Sequence, residues 1–254
     1  MGILNVTPDS FSDGGSYKTD EEIVARAIQM SQEGAAIVDV GAESTRPGAT
    51  PVSQEDELRR LAPVLGSICE DVPVAVSIDT YKSTVARVAA EQGAAVINDI
   101  WGLQRDPEMA SVVAGTGSAV IAMHNRETID PELDIIEDIL RFFELSLQIA
   151  RKAGIPDHHV ILDPGMGFGK TFEQNYAILA KLGRLAEFGR PILLGLSRKR
   201  MIGRALTNET DSRLIGTISA NALGLANGAR ILRVHDVSEH ADALRIFCAM
   251  ENAQ

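Results

Sequence analysis

The sequence predicts an α/β protein: a closed (β/α)8 TIM barrel of one domain over residues 1–254, with its active site at the C-terminal ends of the strands. Three observations carry that expectation. Eight short apolar runs recur at fairly regular spacing, each ending in a polar or glycine-rich tag. Helical patterns fill the intervals between them. The connections after the runs are long and rich in Gly, Pro, Ser and Asp, whereas those before them are short. Continuous apolar strands bury both faces and need helices outside them, and eight such units point to a barrel. The competing architecture is an open doubly wound sheet. That normally carries a glycine-rich dinucleotide turn after an early strand, and this sequence has none.

The first run, Gly2 to Thr7, opens into a loop reaching Tyr17. A helix over 20–33 follows, with Ile23, Ala27 and Met30 on one face, Asp20 as N-cap and Glu21 and Glu22 in the first turn. The second run, Ala36 to Val40, leads through Gly41-Ala42 into a loop from Ser44 to Pro51. A helix over 53–69 opens on Ser53, with Glu55 and Asp56 in its first turn, and stacks Leu58, Leu61, Leu65 and Ile68. The runs Val74–Asp79, Ala95–Asp99, Ala119–His124, Val160–Gly165, Ile192–Lys199 and Ile231–Asp236 then alternate with helices over 82–91, 106–114, 133–152, 172–188, 211–227 and 237–250. Gly34, Gly93, Gly154, Gly189 and Gly228 each close a helix, the usual place for glycine.

Composition narrows the function. Hydrophobic residues make up 45% and charged residues 23%, a globular balance. No apolar stretch reaches the roughly 20 residues of a membrane helix, and no secretory signal precedes the first strand, so a cytoplasmic protein is expected. The two cysteines, Cys69 and Cys248, lack metal or redox spacing. A net charge of −11 argues against non-specific nucleic-acid binding, but not against a small anion held in a locally basic cleft.

The chemistry sits in the tags. Asp163 to Thr171 resembles a phosphate loop, but only three residues separate Gly165 from Gly169, where a Walker loop needs four before its Gly-Lys-Thr. It reads instead as a turn that lets backbone approach a ligand. Asp79, Asp99 and Asp163 lie at or beyond strand ends, where carboxylates suit a ligand with adjacent N–H donors. Asn98 both donates and accepts, which suits an amide-like heterocycle edge. Asp99 points to the other side of its strand and is expected to be structural. Arg46, Arg198, Lys199, Arg233 and His235 gather at the mouth and suggest an anionic substrate, with Ser197-Arg198-Lys199 opening a helix whose free N–H groups attract a carboxylate or phosphate. Arg233 and His235 alternate along the eighth strand and share a side.

Taken together, the motifs Met1–Gly15, Glu43–Gly48, Ser77–Thr80, Ile97–Ile100, Met123–Arg126, Asp163–Thr171, Ser197–Lys199 and Arg233–Asp236 resemble those of the dihydropteroate synthase family, over Met1 to about Met250. The resemblance implies condensation of 6-hydroxymethyl-7,8-dihydropterin diphosphate with p-aminobenzoate, giving 7,8-dihydropteroate and pyrophosphate in folate biosynthesis. It implies Asp79, Lys199 and Arg233 as catalytic residues. The pterin would contact Asp79, Asn98, Ile100, Met123, Asp163, Phe168, Gly195 and Lys199. The diphosphate would contact Asn5, Thr45, Arg46, Arg233 and His235, with Mg²⁺ at Asn5. The p-aminobenzoate would contact Thr45, Pro47, Phe168, Ser197 and Lys199, its carboxylate at the Ser197 helix terminus. Phe11 and the first loop are expected to order with substrate. Sulfonamide inhibition and a homodimer through outer helices are further implications.

Two departures from the family are visible. Gly41-Ala42 stands where the family usually has Gly-Gly, and the sequence starts within the first barrel strand, where most members carry a preceding β-hairpin. Less cover for the barrel bottom is the expected consequence. Two alternatives remain at this point: a methyltetrahydrofolate–corrinoid methyltransferase of the same superfamily, which has no need of the Ser44–Gly48 loop or the Arg233/His235 pair, and a non-catalytic pterin-binding paralogue. No role is evident for His124 to Arg126.

Overall fold

The structure is a computed structural model describing residues 1–6, 19–43, 50–206 and 213–253. Six parallel strands pair in chain order: β1 (Gly2–Asn5), β2 (Ile37–Gly41), β3 (Ala75–Asp79), β4 (Val96–Asp99), β5 (Ala119–Met123) and β6 (Val160–Asp163). The two-residue strands β7 (Leu193–Leu194) and β8 (Ile231–Leu232) pair with each other. Single bridges join them to the rest, Leu162 with Ile192 and Gly2 with Val234. Across the last seam the Ile3 N–H donates to the Val234 carbonyl and the Val234 N–H to the Met1 carbonyl, both at 2.9 Å. The sheet therefore closes on itself, as a (β/α)8 barrel requires.

Strand alternation sorts the side chains into two cores. Leu4, Val38, Val40, Val76, Ile78, Ile97, Val120, Leu162 and Leu194 join the large cluster beneath the helices. Val96, Ile121 and Leu193, with Ile161 and Ile231 against them, form a second cluster. Successive strand side chains point to opposite faces, so residues two positions further along share that second side. Those residues are Asn98, Met123, Asp163, Gly195 and Arg233. An apolar plug in the barrel interior thus carries a layer of functional groups directly above it.

The helices are α1 (Asp20–Gln32), α2 (Gln54–Leu61), α3 (Leu65–Asp71), α4 (Ser83–Glu91), α5 (Met109–Thr116), α6 (Ile135–Ala153), α7 (Phe172–Ala180), α8 (Arg200–Ala205), α9 (Leu214–Ala226) and α10 (Val237–Glu251). The helix expected over 53–69 is broken into α2 and α3, because Pro63 lacks the N–H that a continuous helix would use. The stretch expected over 172–188 is helical only to Ala180 and then tightens to a 3₁₀ turn, Leu182–Phe188. Thr19, not Asp20, caps α1, its side chain accepting from the Glu22 N–H. The longest helix, α6, starts where the Asp134 carboxylate accepts from the N–H groups of Ile136 and Glu137, and stops at Gly154 in the left-handed conformation, φ 86°. It buries Ile135, Ile139, Phe143 and Leu147 against the barrel. Among the described residues, no helix is long and apolar enough to cross a membrane.

Candidate active site

The layer above the apolar plug is organised by a carboxylate in the middle of an apolar strand. Asp39, in the middle of β2 and fully buried, accepts from Ser77 Oγ at 2.6 Å, from Asn98 Nδ2 at 3.2 Å and from Arg233 Nε at 2.6 Å. The same guanidinium donates through Nη2 to Asp79 Oδ2 at 2.5 Å. Two carboxylates therefore share one cation. The Arg233 proton affinity is raised despite burial, because Asp39 and Asp79 both favour the charged form. Burial holds the Asp79 carboxyl well above the usual carboxylate range, against the pull of Arg233 and with Asp39 adding to the rise. Asp79 Oδ1 is buried with no hydrogen-bond partner among the described residues, a vacant acceptor.

Asp163 stands at the end of β6, in register with Met123 on β5. It is 5% exposed, and burial raises its pKa against the opposing charge of Lys199. Its Oδ1 accepts from the Gly165 N–H at 2.7 Å. Gly195 faces it from β7: a Cβ there would lie 3.8 Å from Asp163 Oδ2 and 4.0 Å from Lys199 Nζ, so the absent side chain leaves the space between strands open. Lys199 donates to the Met166 carbonyl and lies over the Phe168 ring, 4.7 Å from its centroid. Burial lowers its pKa to about 8. Ile100 and Met123 are buried beside these groups, at the ends of β4 and β5. Asn5 ends β1, with its Oδ1 3.8 Å from where a Gly41 side chain would begin, on the side of Gly41 that also meets Asp79.

At the β7–β8 rim, Ser197 Oγ lies 2.8 Å from His235 Nδ1 and accepts from the His235 N–H at 3.1 Å. One expectation fails here. Ser197 does not begin a helix; α8 starts at Arg200. The N–H of Arg198 goes to Thr217 Oγ1 and that of Lys199 to the Leu196 carbonyl, so neither is free for an anion. Arg198 adopts φ 56° and its exposed side chain pairs with Asp236. Asp99 is structural as expected, accepting from the N–H groups of Trp101 and Leu103. Thr45, Arg46 and Pro47, together with Ser44 and Phe11, lie outside the described residues. Ala42, the departure from Gly-Gly, is fully buried with its methyl packed in the core.

The sequence signal for Asp39 was present: an ionisable residue interrupting an otherwise apolar strand. Lys170, hidden in the glycine turn, is a second omission and is nearly fully buried. A third is Lys82, which bridges Glu43 and Glu57.

A closed barrel with carboxylates, an amide and a lysine converging at its mouth beside Arg233 and His235 defines a class of site. It suits a flat heterocycle with adjacent N–H donors that carries an anionic group. The chain matches the family described as pterin binding enzyme over residues 1–235. It is 47% identical to a dihydropteroate synthase of Clostridium beijerinckii over 247 residues, covering 97% of this chain and 91% of that protein. A dihydropteroate synthase from Clostridium difficile, solved in the presence of pteroic acid, superposes with a TM-score of 0.93 at 46% identity, covering 98% of this chain and 95% of that one. The Yersinia pestis enzyme in a sulfonamide drug complex gives 0.92 at 40% identity, covering 99% and 94%. The chain belongs to the dihydropteroate synthase family of pterin-binding enzymes, which are transferases.

The raised Asp79 has a consequence for stability. At Asp79 the folded state binds a proton that the unfolded chain releases, so this group's contribution to stability falls as pH rises from about 4 toward neutrality. Asp79→Asn is expected to flatten that fall and to leave the pH 8 melting temperature at or above that of the unsubstituted protein, while abolishing turnover. Thermal melts across this pH range check it; a substantially lower pH 8 melting temperature would show that pairing with Arg233 outweighs burial.

Proposed function

We propose a division of labour among these residues, within a single domain spanning 1–254. Asp163, Asn98 and Lys199 take the pterin edge, with Asp79 completing the pocket and Ile100, Met123, Gly195 and Phe168 lining it. The observation that carries this reading is the convergence of two raised carboxyls, one with an unpartnered oxygen, on one barrel mouth. A pterin supplies paired N–H donors that such acceptors satisfy.

In the reaction, the bond between the pterin methylene and the diphosphate oxygen breaks and pyrophosphate departs with the electron pair. Positive charge left on the methylene spreads into the ring, where the Asp79 carboxylate stabilises it electrostatically. The p-aminobenzoate nitrogen donates its lone pair to the methylene carbon and then loses a proton. An arylamine is nucleophilic without deprotonation, so no strong general base is needed. His235 and the Arg233 N–H groups that Asp39 and Asp79 leave over bind the departing diphosphate, together with Thr45 and Arg46. The p-aminobenzoate lies against Phe168 and the Lys199 stem, near Ser197, Thr45 and Pro47. Because the N–H groups after Ser197 are engaged, its carboxylate meets the Ser197 hydroxyl rather than a helix terminus.

Among the described residues no cluster of three His, Cys, Asp or Glu side chains offers a metal cage. Mg²⁺ commonly takes few protein ligands and completes its shell with substrate phosphate oxygens and water. Asn5, a lone oxygen donor at the mouth, fits that pattern and would hold the ion, which when bound neutralises charge on the leaving group. Sulfonamides, which resemble p-aminobenzoate, would compete for its site, and the enzyme would act in the cytoplasm.

The same reading includes a homodimer. A groove of about 490 Å³ between α7, α8 and α9 is lined by Leu179, Ile202, Leu206, Ile215 and Leu223, and Ile215 is 78% exposed. Sedimentation is expected to show a dimer that Ile215→Glu splits; a monomeric starting protein would contradict it.

For the chemistry, supplying pterin diphosphate, p-aminobenzoate and Mg²⁺ should yield dihydropteroate and pyrophosphate in equal amounts. His235→Ala should raise KM for pterin diphosphate by about tenfold, the loss of one hydrogen bond to a charged group, and leave the affinity for bare pterin unchanged. No turnover by folded protein, or equal loss of both ligands, would contradict the assignment.

A further inference from the structure

The tag after β5 and the glycine loop after β6 are packed backbone against backbone. Gly165 has φ 66°, and a Cβ there would lie 1.8 Å from the His124 carbonyl oxygen; one on Gly169 would lie 2.4 Å from that of Arg126. Between the two segments sits the Lys170 ammonium, 5% exposed. It lies 2.9 Å from His124 Nδ1 and donates to the carbonyls of Gly165 at 2.8 Å and Phe168 at 3.0 Å. The far side of the imidazole, Nε2, lies 3.0 Å from Asp138 Oδ2, which also accepts from Arg126 Nη1 at 2.8 Å. Burial lowers the His124 pKa to about 4, so the ring is neutral. Its Nε2–H then donates to Asp138, and its bare Nδ1 accepts from Lys170.

This arrangement is not explained by stability. Among the described residues, Lys170 forms no ion pair with a carboxylate, and burial lowers its pKa to about 7, the mark of a charge that is costly to hold there. What the ammonium does is fix two carbonyls of one loop. That loop gives the N–H of Gly165 to Asp163, the carbonyl of Met166 to Lys199 and the ring of Phe168 to the underside of Lys199.

We propose that Lys170 is a positioning residue: held by His124 and Asp138, it ties down the loop Gly165–Gly169 and so sets the geometry in which Asp163, Phe168 and Lys199 receive the pterin. It does not touch the ligand. The β5 tag, which had no evident role, becomes the anchor of the β6 loop. The inference rests on the pterin-pocket reading above.

The test is calorimetric titration of the full chain with a bare 6-hydroxymethylpterin. Lys170→Met is expected to weaken binding by about tenfold or more, the effect of displacing one group that makes a charge-assisted hydrogen bond to the pterin, without a matching fall in melting temperature. Ile68→Ala, a core truncation in α3, lowers the melting temperature but should leave pterin affinity unchanged. Asp138→Asn supplies a variant on the helix surface should Lys170→Met fail to fold. An amide nitrogen opposite Nε2 favours the Nδ1–H tautomer, which opposes the ammonium. Nitrogen-15 shifts of His124 should report that switch, and pterin affinity should fall with it. Unchanged affinity in the Lys170 and Asp138 variants, with Asp163→Asn unable to bind, would overturn the inference and leave the pocket reading standing. Normal pterin binding by Asp163→Asn would overturn the pocket reading itself, and the inference with it.

Discussion

The Arg233 guanidinium, shared between Asp39 and Asp79, is the interaction on which the site depends. It ties the residue after β8 to β2 and β3, reaching past β1 across the seam where the barrel closes. Backbone hydrogen bonds already join the β8 segment to both neighbours, Arg233 N–H to the Leu194 carbonyl and Val234 N–H to the Met1 carbonyl, and the guanidinium adds a side-chain tie from there to β2 and β3. Asp39 in turn orients Ser77 and Asn98. Removing the one cation of a buried charge cluster commonly costs about 3–5 kcal/mol, because the carboxylates it served are left unsatisfied. Yet the cluster is not fully satisfied even when intact, since two anions compete for one cation and Asp79 keeps an oxygen without a partner.

That incompleteness is where fold and function meet. Burial raises Asp79 and Asp163 and lowers Lys199 and Lys170, each a sign of a charge held where the fold alone would not favour it. Perturbations of this kind gather at functional sites, and a ligand with complementary donors relieves them. The apolar plug of Val96, Ile121 and Leu193 beneath excludes water and gives those interactions a low-dielectric floor. The loop after β6 adds a second level of order: the Gly165 and Phe168 carbonyls accept from Lys170, and the Met166 carbonyl between them accepts from Lys199.

Much of this was legible in the sequence. The alternation of apolar and tagged positions gave the strands, and counting two residues onward from the interior apolar positions reaches Asn98, Asp163 and Arg233. What escaped were pairings made by closure. Arg233 looked like a free anion contact because its partners stand 194 and 154 residues away. Asp39 carries no local sign of its partners for the same reason: Ser77, Asn98 and Arg233 all stand far along the chain. Lys170 was hidden by a glycine pattern that invited comparison with a phosphate loop. Ser197 misled through local logic: Ser-Arg-Lys before a helical stretch resembles a helix start, but the positive φ of Arg198 delays it to Arg200. Pro63, by contrast, is a local breaker within regular leucine spacing, and it divides the stretch into α2 and α3.

The central claim is that Asp39 and Asp79 act as a unit through Arg233. A double-mutant cycle on folding stability, using Asp39→Asn, Asp79→Asn and the pair, tests it most directly. Either single variant leaves the guanidinium one carboxylate; the double variant leaves it none. The account predicts that the double variant loses more than the sum of the singles, by about 1–3 kcal/mol. Additive losses would contradict it and would mean that the two carboxylates hold their places independently of the cation between them.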